Sequence, residues 1–416
     1  MGKDRLLERE FSGRRSPLRI VSIVGTRPEA IKMAPVIAEL ARHPDRYESI
    51  LVTTGQHREL LTQALADFDL QPDTELDLGS ANQSLADFAA LTLQGVSALL
   101  RTLEPAMVLV QGDTTTVASS ALAAAYERIP VGHVEAGLRS FDASSPFPEE
   151  LNRQVASVLA AMHFVPTETA RRNLLQTAVP AADIFVTGNT IVDALQSIHI
   201  SDRFEDPVLG KAARCGTKLI VVTCHRRESH GEPLRQICRA IARLAKLRKD
   251  VCFTFPVHPN PVVQKIVHEE LDGLDRVHLL APASYADMLR AMRRAYLVLS
   301  DSGGIQEEAP SLNTPLLILR DVTERPEVVE VGAAALVGTS EDRIVSAVIE
   351  LLDDARQHAL MAGAPNPFGD GKAAGRIAEA IWYRLGGRAG ASGTKAPADW
   401  YPFSRVATPS SVPLLA

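Results

Sequence analysis

Short runs rich in valine, isoleucine and leucine alternate along this chain with longer stretches that carry apolar residues at three- and four-residue spacing. LRIVSIVG, YESILVTTG, PAMVLVQGD and IPVGHVEAG are four such runs, each closing on a glycine-bearing turn. PEAIKMAPVIAELARH and LADFAALTLQGVSALLRTL lie between them. A run that is apolar throughout fits a parallel strand buried on both faces, and three- or four-residue spacing gives a helix one apolar stripe. The alternation restarts at TKLIVVTCHRRE and continues through VCFTFPVHP, RVHLLAP, AYLVLSDSGG and TPLLILRD. Two series of βα units predict the α/β class, with two doubly wound domains of parallel sheet covered by helices.

A length of 416 residues suits two domains that each bury a core, with the boundary expected near FVTGNTIVDAL (185–195). Residues 1–17 are charged and lack the apolar segment of a secretion signal, so a mobile extension is expected there. From about residue 387 the chain is Gly, Ala, Ser and Pro with few anchors, which predicts a disordered tail. No apolar run approaches the ~20 residues that span a bilayer. A net charge of −6 gives no general attraction to nucleic acid or anionic membrane. Cys215, Cys224, Cys238 and Cys252 form no CxxC pair, so neither a metal site nor a disulfide framework is expected. A cytoplasmic, reducing location fits that usage.

Ligands of open α/β sheets sit at the carboxyl ends of strands. That rule directs VGTRPEA, TTGQHRE, QGDTTT, HVEAGLR, TCHRRES, VHPNP and DSGGIQEEAP to one cleft between the two domains. In VGTRPEA, Gly25, Thr26 and Arg27 stand at a strand-to-helix turn, where free backbone N–H groups and Arg27 suit a phosphate and a plain capping turn is the bland alternative. DSGGIQEEAP puts Ser302, Gly303 and Gly304 at a helix start open to a pyrophosphate, with Glu307 or Glu308 one turn further for ribose hydroxyls. This is not the GxGxxG dinucleotide pattern, so NAD is not implied. Asp113 of QGDTTT reads equally as an acid or a helix N-cap. His225, between a thiol and two arginines, suits phosphate binding or proton transfer, and His258 shares its loop position. His57 suits capping or packing, and His133, inside an apolar strand, suits packing.

HVEAGLRSFDASSPFPEELNRQ (133–154) crowds Glu135, Asp142, Glu149 and Glu150 with Arg139 and Arg153. A helix dipole explains Glu149 and Glu150 after Pro148. Glu135 has no such explanation, because a charge at the edge of a buried strand must be paired. Arg139 and Arg153 are the partners the local sequence offers.

As an ordered set, VGTRPEAIKMAPVI, GDTTTV, GHVEAGLRS, SPFPEELNRQ, TGNTIVDAL, VTCHRRES, PVHPNP, SDSGGIQEEAPSLNTPLLILRD, TERPE and NPFGDGKA resemble the non-hydrolysing UDP-N-acetylglucosamine 2-epimerases from about residue 18 to 386. The resemblance implies two Rossmann-like domains of the glycosyltransferase-B type, with the active site in the interdomain cleft. The first would hold 18–187 plus a returning segment, 370–386, and the second, 188–369, would bind the nucleotide. It implies reversible epimerisation of UDP-GlcNAc to UDP-ManNAc through UDP elimination and a 2-acetamidoglucal, with no cofactor and no metal. It also implies a homodimer and a role in supplying polysaccharide precursors. Carried over by motif, Asp113, Glu135 and Glu149 are the catalytic acids, and His225 assists the departing UDP. Arg27, Lys32, Ser302, Gly303, Gly304 and Glu308 match UDP-binding positions.

Many bacterial members bind a second UDP-GlcNAc as activator, and Gln56, Glu59, Glu149, Arg226 and His258 match that subsite. Glu59 stands where regulated members commonly carry Gln, and the arginine of the following loop is replaced near Asn82. Weakened or lost activation is therefore expected. The rival readings are a hydrolysing relative that releases ManNAc and UDP, an epimerase of a UDP-diacetamido-uronic acid, and a non-catalytic nucleotide-sugar sensor. A glycosyltransferase of the same fold would need an acceptor pocket. Intact HRRES and PFPEELNR motifs favour the non-hydrolysing branch, and retention of all three acids argues against a sensor.

Overall fold

The computed structural model describes residues 16–55, 58–80, 83–144, 146–198, 203–214, 216–224, 226 and 229–386. Seven strands form the first sheet: β1 (Leu18–Val24), β2 (Tyr47–Thr53), β3 (Thr74–Glu75), β4 (Met107–Gln111), β5 (Val131–Val134), β6 (Met162–Val165) and β7 (Ile184–Val186). Their order is β3-β2-β1-β4-β5-β6-β7. Six more, β8 (Lys218–Thr223), β9 (Val251–Pro256), β10 (Val277–Leu280), β11 (Leu297–Ser300), β12 (Leu316–Ile318) and β13 (Ala334–Leu336), form a second sheet in the order β10-β9-β8-β11-β12-β13. Every strand pairing is parallel. Both sheets carry intervening helices, giving two Rossmann-like α/β units. Each sheet starts in its middle, winds to one edge, and resumes on the other side of its first strand. The reversals fall between β1 and β4 and between β8 and β11, and the carboxyl ends beside a reversal are where such sheets hold ligands.

Nine strands coincide with the apolar runs of the sequence, and β3, β6, β7 and β13 are additional. β4 is buried along its whole length, and in β8 only the first residue is not. Helix Leu85–Leu103 starts at Ser84, whose hydroxyl accepts from the Asp87 N–H, and stops at Glu104 in the left-handed region. Its buried residues Phe88, Thr92, Val96 and Leu100 recur every fourth position, the stripe predicted from spacing.

One compact unit comprises the described residues of Met1–Leu65, Leu70–Asp193 and Gly371–Ala416, and the other comprises Ala66–Asp69 and Ala194–Asp370. The first core is built on Val21, Ile23, Val108, Val110 and Val117, the second on Ile220, Val222, Phe253, Phe255 and Leu299. Within the first unit, the Asp193 carboxylate accepts from the N–H groups of Ala373 and Ala374 and so caps the late helix Ala373–Ile381. The Tyr47 hydroxyl donates to Ala378 O at 2.6 Å, and Arg46 pairs with Glu379 at 2.8 Å. Cys224, Cys238 and Cys252 are buried free thiols. Among the described residues no helix is long and apolar enough to cross a membrane.

Candidate functional site

In the first unit the loops after β1, β4 and β5 carry the candidate chemistry. The turn Gly112–Asp113–Thr114 leaves β4 with Gly112 at a φ of 80°, a conformation glycine adopts without strain. Side chains hold each of its residues. His133 Nε2 donates to Gly112 O at 2.7 Å, and Asn152 Nδ2 donates to Asp113 O at 2.9 Å. Arg153 pairs with the Asp113 carboxylate at 2.7 Å, and the Thr114 hydroxyl donates to Glu29 Oε1 at 2.5 Å. Burial pushes the His133 imidazole down to about 4, against the hydrogen bond to Gly112, so the ring is neutral at pH 7 and its Nε2 carries the proton. The N-cap of helix Thr115–Tyr126 is Thr114, whose hydroxyl accepts from the Val117 N–H. Asp113, read in the sequence as either cap or acid, is therefore not that cap.

Glu135 leaves β5 with a left-handed φ of 61°, which costs a non-glycine residue on the order of 1 kcal/mol. The residue is 8% exposed. Lys32 Nζ lies 2.5 Å from Glu135 Oε2, and Gln111 Nε2 donates to the same oxygen. The local sequence offered Arg139 and Arg153 and left the choice open, and the ion pair found is with Lys32. Arg153 spans Asp113 and Glu150, and Arg139 donates to Leu138 O and to the Ser157 hydroxyl. Lys32 reaches that strand end from helix Arg27–Ala41, which follows β1. Lys32, matched to a UDP-binding position, is an ion-pair partner of a candidate catalytic acid in this state.

Glu149 sits half-buried in the first turn of helix Glu149–Leu159, three residues before Asn152 and four before Arg153, which both reach Asp113. Glu150 is wholly buried and accepts from Arg153, the Ser140 N–H and Gln154. Asp142 is exposed and accepts from the backbone and hydroxyl of Ser144. These two carboxylates hold structure together.

In VGTRPEA, read as a phosphate cradle or a capping turn, the backbone N–H groups already have a partner. Glu29 Oε2 accepts from the N–H groups of Gly25 at 2.5 Å and Thr26 at 3.2 Å, so an internal carboxylate already fills that turn. Burial pushes the Glu29 carboxyl up to about 7, against the bonds from Thr114, Gly25 and Thr26. Arg27 stands half-buried at the first helical position beside it. Thr26-x-x-Glu29 is a readable capping-box signal. Its extension to Thr114 is not, because nothing local in sequence pairs the β1 and β4 loops.

In the second unit, buried Asp301 follows β11 and organises the loop after β8. Its Oδ2 accepts from the Cys224 thiol at 3.2 Å, the Arg226 N–H at 3.0 Å and the Ser229 hydroxyl at 3.0 Å. Burial, then the Asp301 charge, push the Cys224 thiol well above its ordinary value, so it serves as a neutral donor. Helix Gly303–Glu308 starts after Ser302. A Cβ at Gly303 would stand 2.6 Å from Arg325 Nη1 and 3.3 Å from Arg226 Nη2, so two guanidinium groups converge on this glycine. At Gly304 only the Ser302 hydroxyl, at 3.9 Å, comes near. Glu308 accepts from the Tyr285 hydroxyl at 3.1 Å.

Arg325 donates to Glu307 at 2.5 Å, and Arg320 forms a two-pronged pair with Glu324 at 2.9 and 3.1 Å. Burial drives the Glu324 carboxyl up, but the Arg320 hydrogen bond and the charges of Arg226, Arg325 and Arg320 outweigh it and hold the group at about 2. Arg320, Glu324 and Arg325 were not singled out in the sequence, although TERPE and LILRD contain them. Exposed His258 accepts from the Asn260 N–H at 3.2 Å. His225, Gln56, Asn82 and the Glu59 side chain lie outside the described residues.

The comparisons with known proteins converge. A family model described as UDP-N-acetylglucosamine 2-epimerase matches residues 38–382. The UDP-N-acetylglucosamine 2-epimerase of Yersinia pestis is 47% identical over 372 residues, covering 88% of this chain and 98% of that protein. That of Bacillus subtilis is 44% identical over 371 residues, covering 89% and 97%. The crystal structure of UDP-GlcNAc 2-epimerase from Neisseria meningitidis bound to UDP-GlcNAc superposes with a TM-score of 0.82 at 41% identity, covering 88% of this chain and all of that one. Likeness of this extent, in sequence and in fold, leaves one assignment: the chain belongs to the UDP-N-acetylglucosamine 2-epimerase family.

Proposed function

We propose that this protein inverts C2 of the sugar in UDP-GlcNAc, giving UDP-ManNAc, without net hydrolysis. One carboxylate removes the C2 proton, the C1–O bond to UDP breaks, and the electron pair forms the C1=C2 bond of a 2-acetamidoglucal. The β-phosphate oxygen of UDP then bonds again to C1 while a proton reaches C2 from the opposite face. This sequence balances without a redox cofactor or a metal. Removal and delivery on two faces need two differently placed acid/base groups. Asp113, Glu135 and Glu149 are the candidates, and His225 is assigned to the departing UDP. Arg27, Lys32, Ser302, Gly303, Gly304 and Glu308 are assigned to substrate.

The observation that carries this reading is Glu135, a carboxylate kept at the mouth of a buried strand in left-handed backbone against Lys32. A fold does not retain that arrangement for stability alone, since an apolar residue there would avoid the desolvation and a glycine the backbone strain. Incubation with UDP-GlcNAc in deuterium oxide tests it by NMR. Deuterium at C2 with appearance of UDP-ManNAc is expected. Free ManNAc with UDP would mark the hydrolysing reaction instead, and an unchanged spectrum would leave a nucleotide-sugar sensor.

Activation by a second UDP-GlcNAc is proposed to be weak or lost, on the strength of Glu59 and Asn82. Turnover of UDP-ManNAc alone is then expected from the first seconds, and a strict requirement for added UDP-GlcNAc overturns this. A homodimer is proposed as the working assembly.

A further inference from the structure

The buried carboxylate of Glu29 has no part in the chemistry written above, yet it makes more bonds than a helix cap requires. In a capping box the Glu29 side chain has one bond to accept, from the Thr26 N–H. Glu29 also takes the Gly25 N–H on Oε2 and reaches with Oε1 to the hydroxyl of Thr114, 85 positions away. Its own helix, Arg27–Ala41, follows β1, and Thr114 opens the helix that follows β4. One carboxylate thus bridges the two loops that flank the reversal of the first sheet. The loops are also in direct contact. A Cβ on Gly25 would fall inside the contact distance of the Thr116 and Thr54 hydroxyls, which lie 3.1 Å from each other.

Thr114 is the covalent neighbour of Asp113. The amino side of that turn is held by His133 through Gly112 O, and its centre by Asn152 and Arg153. The bond to Glu29 is the side-chain hold on its carboxyl side.

We propose that Glu29 is a positioning residue that fixes Asp113 through Thr114. This rests on the epimerase reading and deepens it. Misplacement of a reacting group by about 1 Å lowers turnover by roughly 100-fold. The alternative role, a cap for the Arg27–Ala41 helix and nothing more, makes different demands on Thr114.

The test is a double-mutant cycle on C2 deuterium exchange with Glu29→Gln, Thr114→Val and the pair together, plus Thr114→Ser. Each single variant is expected to lower kcat by about 10- to 100-fold with KM held within about threefold. The double variant is expected to fall no further than Thr114→Val, because both variants act on the Thr114–Glu29 bond and the loss of the Val117 cap is common to Thr114→Val and the double. Thr114→Ser restores the hydroxyl and is expected within about threefold of wild type. Single-variant losses that multiply in the double, an unaffected kcat in Glu29→Gln, or a Thr114→Ser protein as poor as Thr114→Val would each overturn the inference. If Glu29→Gln does not fold by circular dichroism, Glu29→Asp, whose shorter side chain keeps the carboxylate but falls short of Thr114, takes its place in the cycle. A wild-type protein with no C2 exchange refutes the epimerase reading itself, whereas active wild type with unaffected variants overturns the clamp alone.

Discussion

At the scale of single residues, Glu29 ties folding to pH. Its carboxyl is pushed from 4.5 to about 7, first by burial and, lastly among the contributions, by the charge of Asp113. Between those values the folded protein holds a proton that the unfolded chain has released. Folding stability from this group therefore falls as pH rises through that window and levels off above about 7. The loss is on the order of 3 kcal/mol. Glu29→Gln has no proton to take up, so the unfolding free energy of wild type minus variant should drop between about pH 5 and about pH 8 in urea titrations. A flat or rising difference would contradict the assignment. The sequence offered a plain capping turn at VGTRPEA without singling out Glu29, and it made Glu135 conspicuous as a charge with no local excuse. It could not supply the partner, because Lys32 lies 103 positions away while Arg139 and Arg153 lie close by. Arg153 goes instead to Asp113 and Glu150, a choice made by the packing of its helix.

Secondary-structure elements were legible where an apolar run or a helical spacing marked them. The strands that escaped sequence reading are two to four residues each, and His163 interrupts the apolar run of β6 while alanines dilute β13. Such segments become strands because a neighbouring strand is already in place to pair with, a tertiary effect that propensity does not carry. Helix Glu149–Leu159 is unusual in the opposite sense. It buries Glu150, Asn152, Arg153 and Ser157, and it exposes Leu151, Val155 and Val158, the last at 73%. Phe147, just before it, extends the same apolar stripe. Exposed apolar stripes of this kind mark interaction surfaces, and this one supports the proposed homodimer. Val155→Glu with Val158→Glu should convert a dimer to a monomer in sedimentation equilibrium. A wild-type monomer, or a variant that still dimerises, would sink that proposal.

For the molecule as a whole, alternation of apolar runs and helical spacing was enough to read two parallel α/β units, because strands buried on both faces leave a plain mark in composition. The loops that bear chemistry were legible for the same reason: they follow strand ends, and the chain reversal beside β1 and β4 or β8 and β11 is a property of topology. What the fold adds is the arrangement of the crowded stretch after β5, where one carboxylate is buried against a lysine and another is built into the frame. Glu135 is proposed to move the C2 proton. NMR of UDP-GlcNAc in deuterium oxide with Glu135→Gln puts that role to the test. C2 exchange is expected to fall by about 100-fold or more, with UDP still bound in a parallel titration. Exchange at the wild-type rate, or loss of UDP binding together with exchange, would contradict it.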